Sequence, residues 1–267
     1  MKNISLDDPL FLVKIESLIE KAERYECGAS RFLTPKEQTI AREAVTKSGT
    51  SASAFFYGGY DGSERNRLFV LPEYMSLDAY TKASLDEAEL DIVKESVQTL
   101  KITGSGYKRL THRDYLGSLL ALGIEREVIG DVAVLDDFSA LVFCDGKIAL
   151  FILSELKKIG NDTVRVEMTE VSSDFSYEPR SMPVSDTVAS ARLDCVVASL
   201  AGLSREKAQF AVKGGSVTLD YFEADECDEP VCEGSIISVR GVGKFKIVSL
   251  SDTTKKGRLR LLAKKYI

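Results

Sequence analysis

Leu12, Ile15, Leu18, Ile19 and Ala22 recur at helical spacing and predict a first helix within Pro9–Tyr25. A second starts at Thr34-Pro35, with Thr34 as N-cap and Pro35 in the first helical position before "KEQTIAREAV". In "SAFFYGGYDGSERNRLFVLPEY", two aromatic and β-branched runs flank Gly58, Gly59 and Gly62, which predicts a hairpin with a long glycine-rich loop. "ELDIVKESVQTLKIT" contains a strand. "THRDYLGSLLALG" is a helix capped by Thr111 and Asp114 in a capping-box pattern, with Leu116, Leu119 and Leu120 as its buried stripe and Gly123 as its stop. "DVAVL" and "ALVFC" are strands joined by "DDFS", "KIALFILSELKKIG" is a helix with a Gly160-Asn161 stop, and "TVRVEMTEV" is a strand.

That order, βαββαβ, is a split βαβ or ferredoxin-like plait. RNA-recognition domains share it with many proteins that bind no RNA. Where they bind RNA, they stack bases on aromatics of the central strands, and "ALVFC" offers only Phe143. The Ser- and Pro-rich "SSDFSYEPRSMPVSD" reads as a linker. Beyond it Leu193, Val196, Val197 and Leu200 form an apolar helical face, Gly202 allows a turn, and Ser204 caps a second helix. Short strands "GSVTLD", "SIISVRG" and "GKFKIVSL" and a basic tail follow. The expected class is α+β: an N-terminal helix and hairpin region (1–75), a central plait (76–171), a linker (172–183) and a small C-terminal domain (184–267).

Composition narrows the chemistry. The chain has 267 residues, 44% hydrophobic and 28% charged, an ordinary soluble composition without an apolar run long enough to cross a membrane. "MKNISLDDPLFLVKIE" lacks the pattern of a secretory leader, so a cytoplasmic protein is expected. Five scattered cysteines fit reduced thiols. The one close pair, Cys227 and Cys232, lies far from His112, the only histidine, so neither zinc nor another metal is expected, and no cofactor motif is present. "GSGYKR" and "GVGK" fall short of nucleotide-binding fingerprints.

The net charge of −6 argues against nucleic acid until it is divided along the chain. Residues 184–267 carry 13 Lys and Arg against 11 Asp and Glu, and six of those acids fall in the run "EADECDEPVCE". The C-terminal part is therefore a basic body with one acidic loop, expected to face away from RNA. Arg205 and Lys207 open the helix after Ser204, where cations oppose the helix dipole. A phosphate docked on the free N–H groups there turns both into partners.

"ARLDCVVASLAGLSREKAQFAVKGGSVTLD" followed by "GSIISVRGVGKFKI" resembles the α-L RNA-binding domain named for ribosomal small-subunit protein four. The resemblance implies an RNA-facing surface of Arg192, Ser204, Arg205, Lys207, Lys213 and Arg240, with Lys244 and Lys246 beside it. Asp220, where an asparagine is common, and Ser235, where an aspartate often follows the glycine, depart from the pattern. "FFYGGYDGSERNRLFVLPEY", "HRDYLGSLLALGIEREVIGDV" and the C-terminal domain together resemble the YlmH-type family of bacterial RNA-binding proteins, over nearly the whole chain. A monomer is expected, and the family resemblance implies a factor that binds rRNA of the large ribosomal subunit and tRNA. It would act with other quality-control factors where stalled chains are extended with alanine without a message, and its family is encoded near cell-division genes.

Rival readings are an RNA-modifying enzyme of the pseudouridine synthase type and a division-related scaffold. "HRD" lacks the metal-binding Asn of a kinase loop, since Leu119 stands there, and Asp114 serves as a cap. His112 and Arg113, in the first turn of that helix, are candidates for a second phosphate contact. "RLDCVVA" shares three letters with a synthase catalytic block but places Asp194 in a helix, and no acid–base pair is evident elsewhere. A non-catalytic RNA-binding factor is the expected function.

Overall fold

The structure is a computed structural model that describes residues 9–75, 95–253 and 257–267. The expected domain boundary at residue 76, the residues before Glu95 in the expected strand segment, the first eight residues and the tail residues 254–256 lie outside that description. The chain is mixed α/β, with six helices and antiparallel sheets among the described residues, and forms two compact units, Met1–Tyr177 and Glu178–Ile267.

In the first unit, α1 (Pro9–Glu23) and α2 (Pro35–Ser48) pack on a three-stranded antiparallel sheet of order β1-β3-β2. These strands are β1 (Gly28–Leu33), β2 (Ser53–Tyr57) and β3 (Asn66–Leu71). The Thr34 side chain accepts from Glu37 N, and the Glu37 carboxylate accepts from Thr34 N at 2.6 Å, a complete capping box. Ile15, Ile19, Ala22, Ala41, Leu68 and Val70 fill the helix side. Phe32, Phe55, Phe69 and Leu71 form the other face, where Phe55 and Phe69 stack 5.0 Å apart.

That face meets a second sheet of order β5-β6-β4-β8-β7, with every neighbouring pair antiparallel. Its strands are β4 (Val97–Gly104), β5 (Ile129–Val134), β6 (Ser139–Asp145), β7 (Lys158–Ile159) and β8 (Asp162–Thr169). Helices α3 (His112–Ala121) and α4 (Gly146–Glu155) cover one side of it, against Leu100, Ile102, Val142 and Cys144. The side chains of β6 alternate, so Leu141 and Phe143 face the other side and pack with Tyr60, Phe175 and Tyr177. Both sides of β6 are thus buried, which explains its unbroken apolar run. Gly59 makes this cover possible: at φ +107, a Cβ there would lie 2.2 Å from the Phe143 ring.

Three expectations change here. The fourth helix stops at Glu155, because Leu156 turns into the core, and Gly160-Asn161 is the tip of the β7–β8 hairpin. The buried stripe of α3 is Tyr115 and Leu119, with Leu116 half-buried and Leu120 exposed. Residues 172–183 are not free linker: Phe175 and Tyr177 belong to the aromatic cover, and β9 (Ser181–Val188) is a strand of the second unit.

The second unit is one antiparallel sheet of order β11-β10-β12-β13-β14-β9. Its other strands are β10 (Val217–Leu219), β11 (Phe222–Glu223), β12 (Ile236–Val239), β13 (Gly243–Thr253) and β14 (Leu259–Tyr266). Helices α5 (Leu193–Ala201) and α6 (Arg205–Lys213) pack against one face. Leu193, Val196, Val197 and Leu200 enter a core with Val217, Ile237, Phe245, Ile247 and Leu261, as their spacing predicted.

Candidate nucleic-acid interface

The turn between α5 and α6 forms as the sequence dictates: Gly202 caps α5 at φ 63, and the Ser204 hydroxyl accepts from Lys207 N at 3.3 Å. Of the two cations that open α6, Arg205 has a partner that the helical pattern did not reveal. Asp194 is fully buried, and its carboxylate accepts from Arg192 Nε at 3.2 Å, Arg205 Nε at 3.2 Å and Gln209 Nε2 at 2.8 Å. Burial opposes the charge on Asp194, yet hydrogen bonds from Gln209, Arg192, Arg205 and Cys195 outweigh it and hold the carboxyl far below its ordinary range. Arg205 is therefore first a counter-ion to Asp194, which is why the dipole tolerates it at this end of the helix. Its side chain remains 58% exposed and that of Arg192 41%, so both still reach solvent.

The remaining expected contacts fall in two places. Lys207 and Lys213 are exposed on α6, and Arg240 N donates to Ser216 O at 2.9 Å, which brings the β12–β13 turn beside the C-terminal end of that helix. Lys244 and Lys246 alternate with the core residues Phe245 and Ile247, so they project from the sheet face opposite the helices. There Lys246 lies across from Lys264, and Lys244 sits 4.9 Å over the Tyr221 ring and 5.6 Å over Tyr266. The eight expected residues thus occupy a helix-side surface and a sheet-side surface rather than one patch.

The acidic run is not remote from the helix side. Leu193 N donates to Glu229 O and Asp194 N to Cys227 O, both at 2.9 Å, which pins the loop beside the start of α5, and Asp228 acts on Arg192 through space. The two departures noted in the sequence meet each other: Ser235 Oγ donates to the Asp220 carboxylate at 3.3 Å, and Ile236 N donates to it at 2.8 Å. Asp220 holds φ 49, a left-handed conformation that Asp adopts more readily than most residues.

In the first unit His112 and Arg113 open α3, whose Thr111 and Asp114 form the expected capping box. Both are exposed. Although His112 reaches solvent, partial desolvation first, and Arg126 second, lower its imidazole pKa from the ordinary value. Phe143 is fully buried, and Tyr60 lies 4.8 Å from it, so this sheet presents no base-stacking platform. Three features escaped sequence reading: the burial of Asp194, the coupling of Arg192 to Arg205, and the convergence of "GGYDGSERNR" with "GIEREVIGD". In that convergence the Asp131 carboxylate accepts from Tyr60 Oη at 2.8 Å, Glu64 N at 2.7 Å and Arg65 N at 3.0 Å. The unusual richness of both stretches was the available signal. Among the described residues no group of three or more His, Cys, Asp and Glu converges as a metal site, and no helix is long and apolar enough to cross a membrane.

In comparison with known proteins, residues 96–173 match the family described as "Putative RNA-binding domain in YlmH". The chain is 30% identical over 240 residues to "Ribosome-associated protein quality control protein P2" of Bacillus subtilis (strain 168), an alignment covering 90% of this chain and 87% of that relative. This chain belongs to the YlmH family. A solved structure, "Cell division protein ylmH from Streptococcus pneumoniae", is similar over 62% of this chain and 92% of its own, with 23% identity and a TM-score of 0.49.

Proposed function

We propose that this chain is a non-catalytic RNA-binding factor of ribosome-associated quality control. It binds rRNA of the large subunit and tRNA, acts with other quality-control factors in alanine tailing of stalled chains, and works as a cytoplasmic monomer. In this reading residues 96–173 are a ferredoxin-like plait and the second unit is an α-L RNA-binding domain. The name of the Bacillus subtilis relative supports the pathway. The observation that carries the RNA reading is the cationic helix side of the second unit. Lys207, Lys213 and Arg240 are exposed on rigid elements there, while the neighbouring Asp194 is already neutralised by Arg192 and Arg205. Lys244 and Lys246 add a second contact on the opposite sheet face, and His112 and Arg113 a third in the other unit. Tying up Asp194 and Asp114 in local hydrogen bonds also speaks against either as a catalytic acid.

The test is RNA binding by the isolated Glu178–Ile267 unit, started at Glu178 because β9 begins at Ser181 and pairs with β14 along its length. Binding of structured RNA is expected to weaken steeply with salt. Four phosphate contacts, from Lys207, Lys213, Arg240 and Lys246, give a log–log slope of about −3 to −4. Affinity that is flat between low and moderate salt contradicts the reading.

A further inference from the structure

Residues 96–173 match an RNA-binding domain, yet the sheet surface on which a plait commonly stacks bases is occupied. Phe143 lies under Tyr60 and Phe175, and Leu141 is buried beside it. RNA must therefore meet this domain elsewhere. Its charge supplies the first pointer. Residues 96–173 hold 9 Lys and Arg against 11 Asp and Glu, but the stretch Gly104–Arg113 has Lys108, Arg109 and Arg113 and no acid at all. This stretch is the connection from β4 into α3.

The connection is held rigidly at both ends. Ser105 N donates to the Asp162 carboxylate at 3.2 Å, and the Ser105 hydroxyl donates to the same group. Leu110 is buried in the core, and its N–H donates to Asp137 O at 2.8 Å. The Thr111–Asp114 capping box fixes the entry into α3. Gly106, at φ +86, turns the chain outward between these anchors. At the tip stands Tyr107, whose side chain is left in solvent: the residue is 95% exposed.

The acids nearby are already engaged. Asp162 holds Ser105, Asp114 holds Thr111, Asp137 pairs with Arg109 at 3.1 Å, and Asp136 accepts from Ser139 at 2.7 Å. Lys108 and Arg113 are exposed; among the described residues neither forms an ion pair, and both act on the Asp114 carboxylate through space. An aromatic ring that stays in water on the same short connection as exposed cations, with both ends of its backbone anchored, is the arrangement single-stranded nucleic acid uses. The ring stacks on a base face, and the cations meet the flanking phosphates. Within Gly104–Arg113 no other large apolar residue is exposed, and the nearest ones, Leu135 and Phe138 in the turn that Gly104 N and Leu110 N bond to, are only 42% and 38% exposed, so a protein partner has less to bury here than the cations have to bind.

We propose that the β4–α3 loop is an RNA contact in which Tyr107 stacks on an unpaired base while Lys108 and Arg113 hold the adjoining phosphates. This rests on the RNA-binding reading and adds to it a ligand class, an unpaired nucleotide rather than a duplex. The chain contains no tryptophan, so Tyr107→Trp in the full-length protein introduces a single reporter at the site. A short single-stranded RNA is expected to quench that fluorescence, and a fully paired duplex of the same sequence is not. Adding Lys108→Glu should move the quenching midpoint to higher RNA concentration. The stacking contribution predicts that Tyr107→Ala raises the RNA concentration needed to protect this loop from hydroxyl-radical cleavage by roughly five- to a hundred-fold. RNA that binds, by anisotropy of a labelled strand, without quenching the introduced tryptophan overturns this proposal and leaves the broader reading standing. Equal quenching by duplex overturns the base-stacking assignment. Failure of both RNAs to bind at all defeats the broader reading and this proposal together.

Discussion

Arg67→Ala is expected to destabilise the first unit by about 3–5 kcal/mol, the range for removing one partner of a buried ion pair. Arg67 lies on β3 with its side chain 8% exposed, and its guanidinium meets the Asp145 carboxylate at 2.9 Å. It also donates to Ser30 O and Ser96 O, both at 2.6 Å. The substitution leaves a buried carboxylate and two carbonyls without that donor. Among the described residues, Asp145 then keeps its capping bond from Lys147 N at 3.0 Å. Because Ser30 and Asp145 belong to different sheets, Arg67 joins the two layers of the unit. Urea unfolding of the full chain should show a lower midpoint, and Arg67→Lys should recover part of it because a lysine returns the charge without the fork of donors. A loss under about 1 kcal/mol, the scale of an exposed pair, contradicts this account of the unit.

Asp194→Asn is expected to destabilise the second unit by about 2–3 kcal/mol. That is below the range for fully buried pairs because Arg192 and Arg205 can turn to water. The pH dependence carries a specific sign. The folded state holds the Asp194 carboxyl far below its ordinary value near 4, so its contribution to stability is complete above that value and is lost as pH falls below it. Wild-type stability of the Glu178–Ile267 unit should decline as pH drops from about 5, and Asp194→Asn should flatten that acid limb. Identical acid limbs in the two proteins contradict the assignment. The same cluster predicts that Arg205→Glu destabilises the fold, since it sets a second carboxylate against Asp194. Lys207→Glu, at an exposed position, should not.

Much of the fold was legible because its signals are local. The Thr34 and Thr111 capping boxes, the apolar faces of α1 and α5, and the β5–β6 pair all follow from residues close together in the chain. What was missed depends on distant partners. β1 reads poorly as a strand because Ser30 and Arg31 interrupt its apolar residues; it forms by pairing with β3, where the Ser30 hydroxyl accepts from Leu68 N at 2.8 Å. β9 hides in a Ser- and Pro-rich stretch because most of it is solvent-facing and its partner, β14, lies at the far end of the sequence. As an edge strand it tolerates Pro183. The candidate site divides in the same way. Ser204 as a cap and Lys207 and Lys213 as exposed cations follow from helical periodicity. Asp194 reads as a first-turn acid on a helix surface, and only the packing of α6 across α5 shows that it is buried beneath two arginines and a glutamine.

Co-sedimentation of the full chain with purified large ribosomal subunits tests the central claim most directly, comparing wild type with a Lys207→Glu, Lys213→Glu, Arg240→Glu variant. All three positions are exposed, so the variant should unfold at the wild-type urea midpoint within about 1 kcal/mol. The account predicts that wild type travels with the subunit at moderate salt and leaves it at high salt or after RNase, and that the folded variant stays at the top of the gradient. A folded variant that sediments with the subunit as wild type does, or wild-type association that survives RNase, contradicts it.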